Sequence, residues 1–327
     1  ALAARAQTRT DPAAARPDLV RIARLYEETL HARLPAIQAW REVRARAGRD
    51  EESFAALVPL LEAESQWSEL AELVEVEAAE AADPALQRER YRQLGEIHRN
   101  RTRRPRAAVE AFVAADDWEA AIATAADPAL APEAGLGVCR GLLELAVAAW
   151  KKDGSAATGA ARAAAWAVED LTARLRALGR HAEVGELLLG ASGLPFERQR
   201  RRELRRDAAC VLQDELGDED QALEILRDVF AEDPGDGIAF AIVPRLAALL
   251  EARALYGEVA ELWEAQARAR QAADDRAAGA ELWARAARLW EERVGDVDRA
   301  IADHRAGAAL GGEASLEALA RIHHARG

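Results

Sequence analysis

The chain has 327 residues, half of them hydrophobic, and a formal net charge of −13 at pH 7. This acidic balance argues against general nucleic-acid binding, and no run of about 18 apolar residues is present to span a membrane. Alanine is the commonest residue and favours helix, whereas β-branched and aromatic residues are too few and scattered for a sheet. We therefore expect an all-α protein with almost no strand.

The first third of the chain carries small residues that follow predicted turns at nearly constant spacing. Ala36, Ala71 and Ala107 are separated by 35 and 36 residues, and Trp67 stands four residues before Ala71. Apolar residues recur at helical spacing on both sides of these turns. A period of this length, with one helix pair per unit, is typical of an α-solenoid, in which each unit packs on its neighbours.

The regular spacing breaks in the middle of the chain, between residues 115 and 195. The interval from Ala107 to Ala222 corresponds to about three units, and we interpret it as one short and two divergent hairpins. Trp150 and Trp166 match no repeat position in this segment. We predict that these two tryptophans lie outside the core and contribute to partner binding.

The last third of the chain matches itself at an offset of 78 residues. The five apolar positions Leu204, Ala208, Ala209, Val211 and Leu212 fall on Leu282, Ala286, Ala287, Leu289 and Trp290. Gly217 and Ala222 fall on Gly295 and Ala300, and both glycines suit the left-handed residue that ends a helix. Ala260 marks a further hairpin between the copies, at spacings of 38 and 40 residues.

The order of residues in these units resembles tetratricopeptide repeats. That family places an aromatic and small residues on a first helix A, then a Gly-Asp turn, then an alanine on a second helix B. Trp283, Trp290, Gly295 and Ala300 follow the same order. The turn is one residue longer than the family's pattern, and the periods exceed its repeat of about 34 residues.

The resemblance implies a right-handed α–α superhelix of antiparallel helix pairs, a tetratricopeptide-like α-solenoid. It also implies that the concave face, made by the A helices, binds peptides or other proteins. The predicted structural repeat positions are Ala36, Ala71, Ala107, Gly217, Ala222, Ala260, Trp283, Trp290, Gly295 and Ala300.

We expect one continuous solenoid in three segments: tetratricopeptide-like repeats at 1–114, divergent helical repeats at 115–195 and tetratricopeptide-like repeats at 196–327. The chain starts at Ala1 and contains no methionine, which favours a processed or excised piece of a longer protein. The cytoplasm is the default location. An uncapped solenoid end exposes apolar surface, so self-association is a further expectation.

Motifs for catalysis or cofactor binding are hard to find in this sequence. The glycines between Gly135 and Gly141 have the wrong spacing for a GxGxxG loop, and no phosphate-binding loop or HExxH motif occurs. Cys139 and Cys210 lack a metal-ligand spacing, and Cys139 could act as a nucleophile only with a histidine nearby. We predict no catalytic residue, cofactor or metal, and keep an enzyme using the divergent middle as a less favoured alternative.

Two arginine clusters are the candidate binding sites. One surrounds a turn and contains Arg99, Arg101, Arg103, Arg104 and Arg106; the other begins a helix and contains Arg198, Arg200, Arg201, Arg202, Arg205 and Arg206. Guanidinium groups bind carboxylates and phosphates bidentately, although both clusters could equally be solvated faces paired with nearby glutamates. If the second cluster is functional, an acidic peptide segment is its expected ligand. The predicted partner-binding arginines are Arg198, Arg201, Arg202, Arg205 and Arg206.

These observations predict a non-catalytic scaffold that binds a partner protein or peptide, whose identity the residues do not give. The alternative from a different class is binding of nucleic acid or another polyanion through the arginine clusters. Steep salt dependence of binding would distinguish that alternative.

Overall fold

The computed structural model describes residues 12–154 and 157–326, and these residues are helical, with no strand among them. The helices are α1 (Pro12–Arg24), α2 (Arg33–Ala47), α3 (Glu51–Ala63), α4 (Trp67–Glu80), α5 (Pro84–Ile97), α6 (Pro105–Ala114), α7 (Trp118–Ala125), α8 (Pro132–Asp153), α9 (Thr158–Ala177), α10 (His181–Ser192), α11 (Arg198–Asp214), α12 (Glu219–Glu232), α13 (Gly237–Ala252), α14 (Tyr256–Ala272), α15 (Arg276–Leu289), α16 (Val297–Ala309) and α17 (Glu313–Arg326).

The chain forms two compact units that divide between Asp170 and Leu171, inside α9. In each unit, helices that follow one another in sequence pack against one another. Because short connections join these packed neighbours, the helices of each pair run antiparallel. The predicted all-α solenoid of antiparallel helix pairs is thereby confirmed in each unit. The division of the chain into three segments at residues 114 and 195 stays a prediction.

A single turn geometry recurs between paired helices. A residue with positive φ ends one helix, the next residue is the N-cap of the following helix, and the fourth residue after that cap is fully buried. The positive-φ residues are His31, Ser65, Arg103, Asp116, Gly179, Gly217, Ala254 and Gly295. The corresponding residues with 0% exposure are Ala36, Leu70, Ala108, Ala121, Val184, Ala222, Val259 and Ala300. The left-handed residue reverses the chain, and the buried residue seats the second helix on the first.

The six alanines predicted to follow the turns lie at or beside this buried position. Three occupy it: Ala36, Ala222 and Ala300. Three are offset from it by one residue: Ala71, Ala107 and Ala260. Ala107 is half-buried, because the neighbouring Ala108 faces the core. The position requires a buried side chain rather than alanine itself. A register assigned from the alanines is therefore wrong by one residue at three of these six turns.

The turn is one residue longer at four of these joins, which follow α1, α5, α11 and α15. The amide of Asp296 donates to the carbonyl of Trp290 six residues earlier (2.9 Å), whereas the amide of Gln66 donates to Leu61 five residues earlier (2.9 Å). After α15 the additional residue is accommodated in a π-helical turn, Trp290–Val294. This wider turn adds one residue to a unit and so contributes to repeat periods longer than about 34 residues.

Tryptophans at repeat positions are part of the core. Trp40 is 1% exposed, Trp283 6% and Trp290 4%. Two of the indole N–H groups donate to carboxylates: Trp40 to Glu27 (3.1 Å) and Trp290 to Glu264 (2.9 Å). Each ring therefore fills the space between helices. The indole N–H groups of Trp40 and Trp290 stay hydrogen-bonded, as buried indoles usually do, whereas that of Trp283 has no partner among the described residues.

The middle segment departs from the repeat because its helices have unusual lengths. Helix α7 has eight residues, whereas α8 has 22 and α9 has 20. The repeat turn returns at Gly179, and Val184 then occupies the buried position. Valine occupies the position where alanine was expected, so this hairpin had no clear marker in the sequence.

Close packing at Gly95 provides a test of the helix pairing between α5 and α6. A Cβ atom at Gly95 would lie 2.6 Å from the ring of Phe112, which is fully buried. We expect Gly95→Ala to lower the free energy of unfolding by about 1–3 kcal/mol, because the ring cannot move without opening the core. Chemical denaturation measures this change.

Gly137 is the matched control, since it is an exposed position of helix α8 and no atom lies within 4 Å of the added carbon. Gly137→Ala should raise the free energy of unfolding by about 0.5–1 kcal/mol. Equal effects of the two substitutions would contradict the packing described for Gly95.

Candidate functional site

Arg202, one of the predicted partner-binding residues, lies inside the fold. It is 2% exposed, and its guanidinium pairs with Asp236 and donates to the carbonyl oxygens of Val229 (2.7 Å) and Asp233 (3.2 Å). Those carbonyls belong to the end of α12, where helical partners run out. Arg202 therefore fixes the turn between α12 and α13 and is not accessible to a partner.

The exposed arginines of α11 line a cleft of about 470 Å³. Arg198, Arg201 and Arg205 form one wall, at spacings that place them on one side of the helix, and Ser192 and Glu232 complete the lining. The cleft lies where α10 and α12 end, beside the beginning of α11. It is therefore an edge cleft at the helix termini, and its arginines face the last residues of two B helices.

Most guanidinium groups of this cluster already have protein partners. Arg198 donates to the backbone carbonyl of Glu232 (2.6 Å), and Arg205 pairs with the carboxylate of the same residue (2.6 Å). Arg206 pairs with Asp207 (2.7 Å). Among the described residues, the guanidinium of Arg201 makes no hydrogen bond or ion pair, so it is the member of the cluster most available to an external anion.

The cluster between Arg99 and Arg106 is largely engaged with its own surroundings. Arg99 pairs with Glu96 (2.6 Å), and Arg106 pairs with Glu110 (3.2 Å). Arg101 lies over the ring of Trp67, 4.5 Å from its centroid. These contacts support the interpretation of a solvated, internally paired face.

The two tryptophans that match no repeat position are neither fully buried nor fully exposed. Trp150 lies near the end of α8 and Trp166 lies in α9, and both are half-buried. Part of each side chain is accessible, so a contribution to partner binding stays a prediction.

Two clefts that the sequence did not reveal flank α15 in the second unit. One, of about 640 Å³, is lined by α13, α14 and α15, and includes Trp263. The other, of about 780 Å³, is lined by α15, the end of α16 and the start of α17. Arg285 and Arg288 line both clefts. Since α13, α15 and α17 are the first helices of successive pairs, this surface is an A-helix face.

Arg285 and Arg288 are exposed, and neither pairs with a carboxylate in the part of the chain that the structure describes. The Arg285 guanidinium lies 5.0 Å from the centroid of Trp263, and Arg288 donates to the carbonyl of Ala284 (3.3 Å). Other arginines of this unit do find carboxylates, such as Arg245 with Asp214 (2.6 Å), Arg227 with Glu258 (2.5 Å) and Arg253 with Asp220 (2.5 Å). Arg285 and Arg288 lack the carboxylate partners that these other arginines have within the described residues.

The charged stripe of α15 has a spacing that was visible in the sequence. Glu281, Arg285, Arg288 and Glu292 follow each other at intervals of four, three and four residues, which places them on one face of a helix. The sequence did not show that this face borders two clefts, or that its two arginines have no carboxylate partner among the described residues.

Neither cysteine is fully exposed. Cys139 is fully buried, and its thiol lies 3.0 Å from a carboxylate oxygen of Asp170. Burial raises the pKa of the Cys210 thiol, which disfavours the reactive thiolate.

Over residues 12–154 and 157–326, no three metal-ligating side chains come together. No helix in those ranges is long and apolar enough to cross a bilayer.

Comparison with known proteins assigns no family. No family model matches the sequence, and no curated protein matches it. Among solved structures, one similar chain is a signal transduction ATPase with numerous domains, with a tetratricopeptide repeat sensor, from Pyrococcus horikoshii. It shares 11% identity at a TM-score of 0.27 over 90% of this chain and 46% of that one.

A second similar structure is Naa15/Naa10 bound to HypK-THB, with 12% identity and a TM-score of 0.18 over 88% of this chain and 67% of that one. The present chain spans less than half the length of the Pyrococcus protein. At these TM-scores neither likeness carries an argument, and the tetratricopeptide-like description rests on the helix pairs of the chain itself.

Arg201 and Arg202 are neighbours in one cluster, but Arg201 lies at the surface and Arg202 in the core, so their substitutions should differ in their effect on stability. Arg202→Ala should lower the free energy of unfolding by about 3–5 kcal/mol, because it leaves Asp236 and two buried carbonyls without their donor. Arg201→Ala should change it by less than about 0.5 kcal/mol. Denaturation of both variants measures the difference, and a tolerated Arg202→Ala would contradict the structural role.

Proposed function

We propose that the chain is a non-catalytic protein-interaction scaffold and that a partner binds on the A-helix face of the second unit. The observation that carries the proposal is the pair Arg285 and Arg288, exposed beside two open clefts without a carboxylate partner among the described residues. The helix-pair architecture and its resemblance to tetratricopeptide repeats support the same function.

The partner segment is proposed to be acidic, with small or aliphatic residues beside its carboxylates. Carboxylates would pair with Arg285 and Arg288 through charge-assisted, bidentate hydrogen bonds. The cleft next to α13 offers an apolar lining, including Ala247, Ala248 and Leu289, for the neighbouring side chains. Glu281 and Glu292, at the two ends of the stripe, would repel a segment whose negative charge extends further.

The arginine cleft of α11 is a second candidate surface on the same scaffold. Arg201 is the residue that would contribute most to it, because Arg198 and Arg205 are already held by Glu232. Binding of nucleic acid remains the alternative function. The partners of most arginines are carboxylates of the chain, which weakens the case for a polyanion that needs many free cations.

A binding experiment tests the α15 surface. Peptides would be selected against the wild-type chain from a random library and measured by fluorescence polarisation. We expect selection of acidic sequences, and we expect the double variant Arg285→Glu, Arg288→Glu to bind them at least about tenfold more weakly, since two charge pairs become repulsive.

Arg305→Glu is the matched control, because Arg305 is exposed on α16 and lines neither cleft. It changes the net charge in the same direction and should leave the affinity within about twofold. Arg201→Glu reports on the α11 cleft separately. Equal losses in the Arg305 variant and the double variant would show that only overall charge matters, and would contradict the proposed site.

A further inference from the structure

Adjacent residues of α16 carry ionisable side chains that are buried without full hydrogen bonding. Asp303 is 6% exposed and its Oδ2 atom has no partner among the described residues. His304 is 1% exposed, and neither ring nitrogen has a partner within the same ranges. A buried charge without a partner is costly, so each group is favoured in its uncharged form.

Asp303 lies among charged groups of α14 and its own helix. Glu264 of α14 accepts the indole N–H of Trp290 and pairs with Arg268 (2.5 Å), so it already has its partners. Burial raises the pKa of Asp303 to about 7, and the Glu264 carboxylate adds to the rise, while Arg268, Arg299 and the indole oppose it. Two carboxylates thus share a site in which one of them is best accommodated with a proton.

His304 lies among charged groups of the π-helical turn after α15 and of α17. Glu291 and Arg321 form a bidentate pair there, with both distances 2.7 Å, which uses the carboxylate that an imidazolium would need. Burial lowers the pKa of His304, Glu291 opposes this change, and Arg321 and Arg288 add to it. The imidazole is therefore favoured neutral.

We propose that Asp303 and His304 form a pH-sensitive joint in α16, in which close packing requires a protonated Asp303 and a neutral His304 and the two ionisations have opposite dependences on pH. Protonated Asp303 permits close packing of α16 near Glu264 and Trp290, and neutral His304 permits close packing near Glu291 and α17. At higher pH the Asp303 proton is lost, and at lower pH His304 becomes charged. Each ionisation by itself loosens α16 and its contact with α17. In the wild type the two effects oppose each other below pH 6.5, so net loosening occurs as pH rises from 6.5 towards 7.

The two groups contribute opposite dependences on pH. Asp303 has an ordinary pKa of 3.8 and a folded pKa of about 7, so its stabilisation is complete at low pH and is lost as pH rises towards 7. His304 has an ordinary pKa of 6.5 that is lowered on folding, so its contribution is lost as pH falls below 6.5. Just below pH 6.5 the two slopes compensate in the wild type, and above pH 6.5 only the Asp303 slope remains.

Hydrogen exchange followed by mass spectrometry tests this joint at pH 5–8, with rates corrected for intrinsic exchange. In Asp303→Asn, protection of α16 and α17 should increase with pH up to 6.5, because only the histidine dependence is left. In His304→Asn it should decrease with pH up to about 7. In each variant the protection factor should change by up to about tenfold per pH unit if opening of the helix exposes the side chain fully.

Asp228→Asn is the control, since Asp228 is exposed on α12, and it should retain the wild-type profile. The same slope in the wild type and both α16 variants would overturn the proposal, as would slopes of the same sign in the two variants. If one variant does not fold, the sign of the other slope still decides. Since α17 lines the cleft beside α15, a loosened joint would also weaken the proposed partner binding. The exchange experiment uses no partner, so its result does not depend on whether the proposed partner binding is correct.

Discussion

The architecture depends on a backbone reversal followed by one fully buried side chain. A left-handed residue ends one helix, and four residues after the next N-cap a side chain with 0% exposure meets the preceding helix, as at Gly217 with Ala222 and at Gly295 with Ala300. The reversal sets the direction of the second helix, and the buried residue sets its distance. Repetition of this element produces helix pairs from a sequence that varies greatly around it.

Much of this element could be predicted from the sequence, because helical periodicity and glycine after a helix are local signals. The lengthened turn at Gly295 was also visible as a one-residue insertion. The middle hairpin was not, since Val184 occupies a position where alanine was expected. Left-handed residues other than glycine, such as Arg103 and Ala254, were also hidden, because neither residue type signals a positive φ. Burial defines the position of Val184, and several apolar residue types meet that requirement.

The proposed binding surface beside α15 was harder to predict, because it depends on which charged side chains lack partners. Arg202 and Arg201 are neighbours in sequence, yet one is bound to carbonyls about thirty residues later in the chain and the other is free of such contacts among the described residues. Arg285 and Arg288 resemble other surface arginines until the clefts beside α15 are known. In this acidic chain many arginines pair with carboxylates of the chain, and the proposed binding surface lies where two exposed arginines lack such pairs among the described residues.

Site-specific photo-crosslinking tests the central claim that partners bind on the A-helix face beside α15. A photoreactive residue at Ala248, exposed on the wall of the α13–α15 cleft, would be compared with one at Ala302, exposed on α16 and outside both clefts. If partners bind on this face, a selected acidic peptide crosslinks from position 248 and not from position 302. Crosslinking from position 302 alone, or equally from both, would contradict it.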